Sequence, residues 1–308
     1  MDKLVVELNR IYHSAEARNY NSRHPEIHDQ LPPLWSEMIA VVESQSTNQE
    51  WDVLDFGCGT GFASEQILRE LRPSQMRSLT CYDPSPEMLS ICEKRIGGRL
   101  DNLRFCSDLS EVLGDKTRFN LLATNSLLHH LPEPGAEIAK LDASIAKDAW
   151  WLLGHEPSKR FYKNPECQKE LSRYQASAKL RKLATPALYL KRIQKVLSGE
   201  KTPSEATASA AHRAGLFRRR PPAFVIGRLV DFNVAHSDQE AASGRGFDFQ
   251  KMDDKLESLW TMRWVRTYAF MGPHHQNSMP KIWQGRCGEL ASQYPLDGAN
   301  FCSVWQHK

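Results

Sequence analysis

The segment WDVLDFGCGTGFASEQIL, residues 51–68, constrains this chain more than any other. A short apolar run ending at Phe56 stops at three glycines in alternate positions, Gly57, Gly59 and Gly61. A helical spacing of apolar residues then begins at once with Phe62, Ile67 and Leu68. Strand, glycine turn and helix together clear room for a ligand at the positive end of a helix. Two phosphate-binding patterns fail on spacing. No lysine follows Gly61, so GxxxxGK[ST] is absent, and the glycines run GxGxG rather than GxGxxG.

The surrounding sequence alternates strand and helix. SLTCYD reads as a strand closing on Asp83. PSPEMLSICEKRI reads as a helix with Ser85 as cap, Pro86 in the first turn and Glu87 near its positive end. LRFCSD, FNLLATN and AWWLLGHEP supply three more strands, with EPGAEIAKLDASI as a helix before the last. This rhythm predicts βαβ units and a parallel sheet. Upstream, Leu4 to Ala15 and Leu34 to Val42 have helical spacing, and NYNSRHPEIHDQLPP between them reads as a hinge or loop. After Pro157 the rhythm breaks. Residues 159–200 are helical and basic, a second helix comes next over Pro203–Ala214, and GLFRRRPPAFVIGRLVDFNV resists assignment. SDQEAASGRGFD reads as a loop, WTMRWVRTYAFMG as a strand, SMPKIWQGRCGELASQY as a helix and NFCSVWQHK as a last strand.

Three acids fall at strand ends: Asp55, Asp83 and Asp108. Asp83 is placed to accept hydrogen bonds from both hydroxyls of an unphosphorylated ribose, and Asp108 to meet an exocyclic amine. A nucleoside with a cationic amino-acid tail and no phosphate suits that set. Each acid also has a plainer role open to it, Asp55 bonding the glycine turn and Asp83 and Asp108 capping the helices that come after them.

On VLDFGCGTG, CYDPSPEML, RFCSDL and FNLLATNSLLHHLPEP the chain resembles the class I S-adenosylmethionine-dependent methyltransferases of small-molecule type. The resemblance covers about residues 20–157. It implies an α/β fold, a Rossmann-like seven-stranded, mostly parallel sheet with helices on both faces, here with an inserted helical cap. The expected organisation is a helical lid over 1–45, the core over 46–158, the cap over 159–255 and completion of the sheet by 256–308. The resemblance further implies that Asp55, Gly57, Cys58, Gly59, Thr60 and Gly61 lie at the methionine part of S-adenosylmethionine, and Asp83 at its ribose. Pro84, Met88, Ser107, Asp108 and Leu109 fall beside the adenine, and Asn125, Ser126 and His130 beside the methionine again. The product is S-adenosylhomocysteine. The [DN]PP[YFW] signature of amino-group methyltransferases acting on DNA bases or glutamine is missing. The expected acceptor is therefore an O, N or C atom of a small metabolite.

In-line methyl transfer from a sulfonium needs alignment and sometimes a base. His155 and Glu156 close the fifth strand, where ligands of parallel sheets sit, and are the candidate catalytic pair. His129 is a substrate-side candidate, and a backbone-bonding role is open to His155. Tyr20 and His24 precede the first strand as candidate cover residues; Phe161, Tyr162, Tyr189, Phe232 and Tyr268 are candidate liners, with a core role open to each. Seven cysteines show no CxxC pair and no zinc-like spacing, so no metal site is expected. Between Lys159 and Lys195 eleven Lys/Arg face two acids, either a solvated surface or a dock for an acidic or carrier-tethered substrate. A net charge of +3 and the lack of an RNA-binding motif disfavour nucleic acid. No run approaches the roughly 18–20 apolar residues of a spanning helix, which points to a cytoplasmic protein without a membrane partner. A tRNA or rRNA methyltransferase using the basic cap, or a cofactor-binding protein that no longer methylates, remains as an alternative.

Overall fold

A computed structural model describes residues 2–114, 116–183, 201–231, 246–252, 254–272 and 279–308. Seven strands form one sheet: β1 Trp51–Phe56, β2 Met76–Tyr82, β3 Leu103–Cys106, β4 Phe119–Asn125, β5 Ile145–Pro157, β6 Trp260–Tyr268 and β7 Asn300–His307. Their spatial order is β3-β2-β1-β4-β5-β7-β6. The first five run parallel, and β7 lies antiparallel between β5 and β6. The described helices, in chain order, are α1 Asp2–Glu16, α2 Tyr20–Arg23, α3 Pro25–Gln45, α4 Phe62–Glu70, α5 Pro86–Ile96, α6 Leu109–Leu113, α7 Pro134–Ala139, α8 Lys159–Lys163, α9 Pro165–Leu183, α10 Pro203–Arg213, α11 Ala223–Val230, α12 Asp254–Leu259 and α13 Lys281–Gln293.

Continuous apolar runs suit strands covered on both faces, and β1 is buried at all six positions. Alternate side chains then serve opposite layers. Val53, Leu79 and Leu152 meet Trp35 and Met38 of α3 and Ile67 of α4. Leu54, Trp151 and Leu153 meet Ile138 of α7 and Leu256 of α12 on the other side. Strand order reverses beside β1, whose neighbours are β2 and β4, and that opens a crevice beyond the strands' carboxyl ends.

Two sequence expectations are corrected here. The stretch read as a hinge, residues 19–33, is helical: α2 is followed by α3, which begins at Pro25 and runs through Pro32 and Pro33. Proline suits the first turn but removes hydrogen bonds inside a helix, at about 3 kcal/mol or more. Full burial of Leu31, Trp35 and Met38 outweighs that loss. The second concerns the expected cap, whose described helices pack in two places. Phe161 of α8 and Cys167 of α9 are buried with Met271, Cys287 and Leu290, beside α13. Helices α10 and α11 pack instead on α1, where Ala208, Ala211, Ile226 and Val230 enclose Leu8. The unassigned stretch before residue 231 supplies α11. Among the described residues no helix is long and apolar enough to cross a membrane.

Candidate active site

The glycine turn is held from behind. The amides of Gly57 and Cys58 both donate to the Tyr82 carbonyl, at 2.8 and 2.9 Å. Asp55 is fully buried beneath the turn, and one carboxylate oxygen accepts from the Ser64 amide at 3.0 Å and its hydroxyl at 2.5 Å. That pins the first turn of α4. Burial, with Cys81 beside it, pushes the Asp55 carboxyl up to about 8 against the pull of Ser64. Asp83 bridges β1 and β2. Its two oxygens accept from the Gly59 and Ser85 amides at 2.9 Å each, and burial pushes it up to about 6 against those two bonds. Ser85 accepts from the Met88 amide at 3.3 Å, capping α5. Ser14 donates to Glu87 at 2.7 Å and lies 2.9 Å from the Ser85 hydroxyl, which ties α1 to that cap.

Beyond β4 the chain turns at Ser126, whose φ is 55°. Glu156 organises the loop that leads away from this turn. Its fully buried carboxylate accepts from the amides of Leu127 at 2.9 Å, Leu128 at 2.8 Å and His129 at 3.2 Å, and from the His129 ring Nδ1 at 2.9 Å. Burial alone lowers the basicity of His129, but Glu156 outweighs it and the ring ends above the usual histidine range.

These elements surround a cavity with about 900 Å³ of empty space, open solvent at its mouth included. Gly57, Cys58, Gly59 and Thr60 form one wall; Asp83, Pro84 and Met88 a second; Asn125, Ser126 and His130 a third. Tyr20 also lines it. The sequence reading therefore assembles eleven of its candidates in one place.

The others stand elsewhere. Asp55 and Gly61 are one layer behind the wall. Ser107 and Asp108 are exposed, and Asp108 accepts from the Ser110 amide at 2.9 Å as the cap of α6; neither they nor Leu109 line the cavity. His155 and Glu156 are also absent from its lining: Glu156 is spent on the loop, and His155 Nδ1 bonds the Tyr268 hydroxyl. His155 lies at an irregularity in the β5–β7 register, with φ 57°. His129 faces Glu156, and His24 Nε2 lies 3.6 Å from buried Glu16. Phe161 is fully buried in the α8–α9–α13 core, with Tyr162 and Tyr268 packed against it. Tyr189 and Phe232 lie outside the described residues.

Sequence reasoning expected a helical lid over 1–45 but did not name most of the residues that roof the cavity. Val6, Asn9, Arg10 and His13 of α1 line the cavity, as do Asn21 of α2 and Ile27 and His28 of α3. Thr60 donates to Asn21 at 2.9 Å, which joins turn to roof. The signal was present, because Leu4, Leu8 and Ile11 recur at helical spacing and leave positions 6, 9, 10 and 13 on another face. Three polar atoms at this cavity are buried without a hydrogen-bond partner among the described residues: Asn9 Oδ1, His13 Nδ1 and Ser126 Oγ. Unsatisfied buried groups clustered in one cavity are fitted to a polar ligand. His13 is pushed down to about 4 by burial, which the Glu16 charge only partly offsets, with His129 and His24 adding to it; its ring is neutral at neutral pH.

Residues 54–151 match the family model described as Methyltransferase domain. That stretch is thus similar to a methyltransferase domain, and it lies on a seven-stranded α/β sheet. Over 108 residues it is 28% identical to the ubiquinone biosynthesis O-methyltransferase of Coxiella burnetii, covering 35% of this chain and 44% of that protein. Over 99 residues it is 30% identical to the malonyl-[acyl-carrier protein] O-methyltransferase of Bacteroides thetaiotaomicron, covering 32% and 36%. The chain thus spans less than half the length of these curated relatives. Among solved structures, the plantazolicin methyltransferase BamL aligns over 100% of this chain and 99% of its own, with a TM-score of 0.46 and 11% identity.

Proposed function

We propose that this protein transfers a methyl group from S-adenosylmethionine to an oxygen, nitrogen or carbon atom of a small organic metabolite. The observation that carries the reading is the cavity at the carboxyl ends of β1, β2 and β4, whose walls from Gly57 to His130 lie in the span that matches the methyltransferase domain. The residues fit the cofactor. Gly59 faces the cavity, and a Cβ built there meets no atom within 4 Å, so the glycine leaves open a bed that a side chain would fill. Asp83 keeps lone pairs beyond its two backbone bonds for a ribose diol. Asn9 Oδ1, His13 Nδ1 and Ser126 Oγ are three polar groups awaiting partners, as a ligand with an amino-acid tail requires.

When bound, the cofactor supplies a methyl already activated on a sulfonium. The chain's own part is positioning and exclusion of water. Asp83 and the glycine turn fix one side, Ser126 is held by the Gly154 carbonyl and Leu127 by Glu156, and α1 closes over the top. Neither His155 nor Glu156 lines the cavity: His155 bonds Tyr268 and Glu156 holds the loop after β4. The acidic or carrier-tethered acceptor gains little from α9, where Lys169 pairs with Glu166 and Arg173 with Glu170. Calorimetric titration with S-adenosylmethionine and S-adenosylhomocysteine tests the reading. One equivalent of each should bind, and incubation with a metabolite extract should release S-adenosylhomocysteine. Absence of binding heat with either nucleoside overturns it.

A further inference from the structure

The loop after β4 carries two adjacent histidines, and the end of α11 brings a carboxylate to them. One ligating atom each from His129, His130 and Asp231 lies within 4.8 Å of the others. We propose that these three residues form a site for a divalent transition cation of borderline softness, such as Zn²⁺ or Co²⁺, at the wall of the cavity.

The partners of both rings set their protonation. His129 Nδ1 lies 2.9 Å from a carboxylate oxygen of Glu156, and His130 Nδ1 lies 2.9 Å from the Val230 carbonyl. A carbonyl or an ionised carboxylate only accepts, so each Nδ1 carries a proton, and an ion that displaces any proton from Nε2 meets the lone pair there. Metal-bound imidazoles are held in this way, with the far ring nitrogen donating to a carboxylate or a backbone carbonyl that fixes tautomer and orientation. Two rings prepared alike on adjacent residues, with a carboxylate beside them, exceed what packing requires. Two imidazoles and a carboxylate select borderline divalent ions over Mg²⁺ or Ca²⁺.

Geometry leaves room for an ion. Ligand atoms around a tetrahedral ion bound at about 2.0–2.1 Å stand about 3.3 Å apart, so the trio must close by roughly 1.5 Å at most. Asp231 can make that movement, because its side chain is 55% exposed. Three protein ligands leave a coordination position for a substrate atom. His130 lines the cavity. Resting on the methyl-transfer reading, the site narrows the acceptor to a small molecule with a metal-binding hydroxyl. The ion would favour loss of that hydroxyl's proton to water at neutral pH. Spacing rules miss the site because Asp231 stands about a hundred residues from the adjacent histidines.

A second cluster supplies the rival outcome. Cys58, Cys81 and Cys92, all buried, also bring one sulfur each within 4.8 Å of the others. The test is a Co²⁺ titration of protein first stripped with chelator, read by absorption and equilibrium dialysis, in the natural chain and in Asp231→Asn. That side chain is exposed, so the variant should fold. The expected result is one equivalent of Co²⁺ with visible d–d bands and no thiolate-to-metal band, and affinity at least about tenfold weaker in Asp231→Asn. No binding, equal binding by the variant, or a thiolate band each overturns the proposal. Calorimetry with S-adenosylhomocysteine in chelator runs alongside. Nucleoside binding without metal binding sinks this site and leaves the methyl-transfer reading standing; metal binding without nucleoside binding does the reverse.

Discussion

Replacing Gly59 and Gly61 by alanine, one at a time, separates the turn's two duties. Both glycines are left-handed, at φ 52° and 82°. An L-residue in that region loses roughly 1–2 kcal/mol. At Gly59 the new methyl meets nothing within 4 Å, so stability should fall by that amount alone. With about 2–4 °C per kcal/mol for a domain of this order, the melting temperature drops by roughly 2–8 °C. At Gly61 the methyl stands 2.7 Å from Cys92 Sγ and 3.2 Å from its Cα, the latter backbone that cannot swing aside. Overpacking adds about 1–3 kcal/mol, for a total of roughly 2–5 kcal/mol. Thermal melts monitored by circular dichroism, with calorimetric titration of S-adenosylhomocysteine, read both effects. Gly59→Ala should melt close to the natural protein and bind the nucleoside about tenfold or more weakly, because its methyl occupies the bed. Unchanged affinity in Gly59→Ala would mean that the turn is not where the cofactor lies. Equal melting of the two variants would refute the packing reasoning.

Glu156→Gln puts an amide where a carboxylate oxygen accepts from both the backbone amide and the ring of His129, so two donors lose their acceptor. Unfolding in urea should show roughly 2–4 kcal/mol of lost stability, together with weaker nucleoside binding, and a change under about 0.5 kcal/mol would dismiss the anchoring role. Phe161→Ala should lose about 3–5 kcal/mol yet leave nucleoside affinity intact in the folded fraction, whereas a change in affinity would return Phe161 to the pocket. Asp55 is raised to about 8 in the folded chain from an ordinary value of 3.8. The folded state thus holds that proton more tightly, and its contribution is complete below about pH 4 and lost as pH rises towards 8. Urea unfolding from pH 4 to 8 should show a shallower decline in Asp55→Asn than in the natural chain; parallel profiles would contradict the buried-acid picture.

The sheet was legible because each strand from β1 to β5 is a compact apolar run bounded by turn residues, and the glycine turn marks its ligand end. What local pattern hid was duty assigned by distant contacts. Asp108 and Glu156 are both acids at strand ends, the type of residue that binds or catalyses. Asp108 caps a short helix at the surface, while Glu156 is buried because the loop after β4 folds back to it from 27–29 residues away. Pro32 and Pro33 argued for a loop, yet Leu31 and Trp35 on either side drew the segment into helix by burial. Asn9 and His13 gave only an amphipathic spacing, and nothing local reveals that α1 lies over the cavity.

That placement of α1 has a consequence for redesign. One side of the helix meets the cavity through Val6, Asn9 and His13, and Leu8 on the other is gripped by α10 and α11. The ceiling is thus a sandwich built from segments two hundred positions apart, bolted over a sheet whose own residues it barely uses. Transplanting residues 1–16 together with 203–231 as a matched pair should keep the chamber shut while it changes the groups that Asn9 and His13 present to the nucleoside. Exchanging either half alone should yield a chamber that no longer shuts.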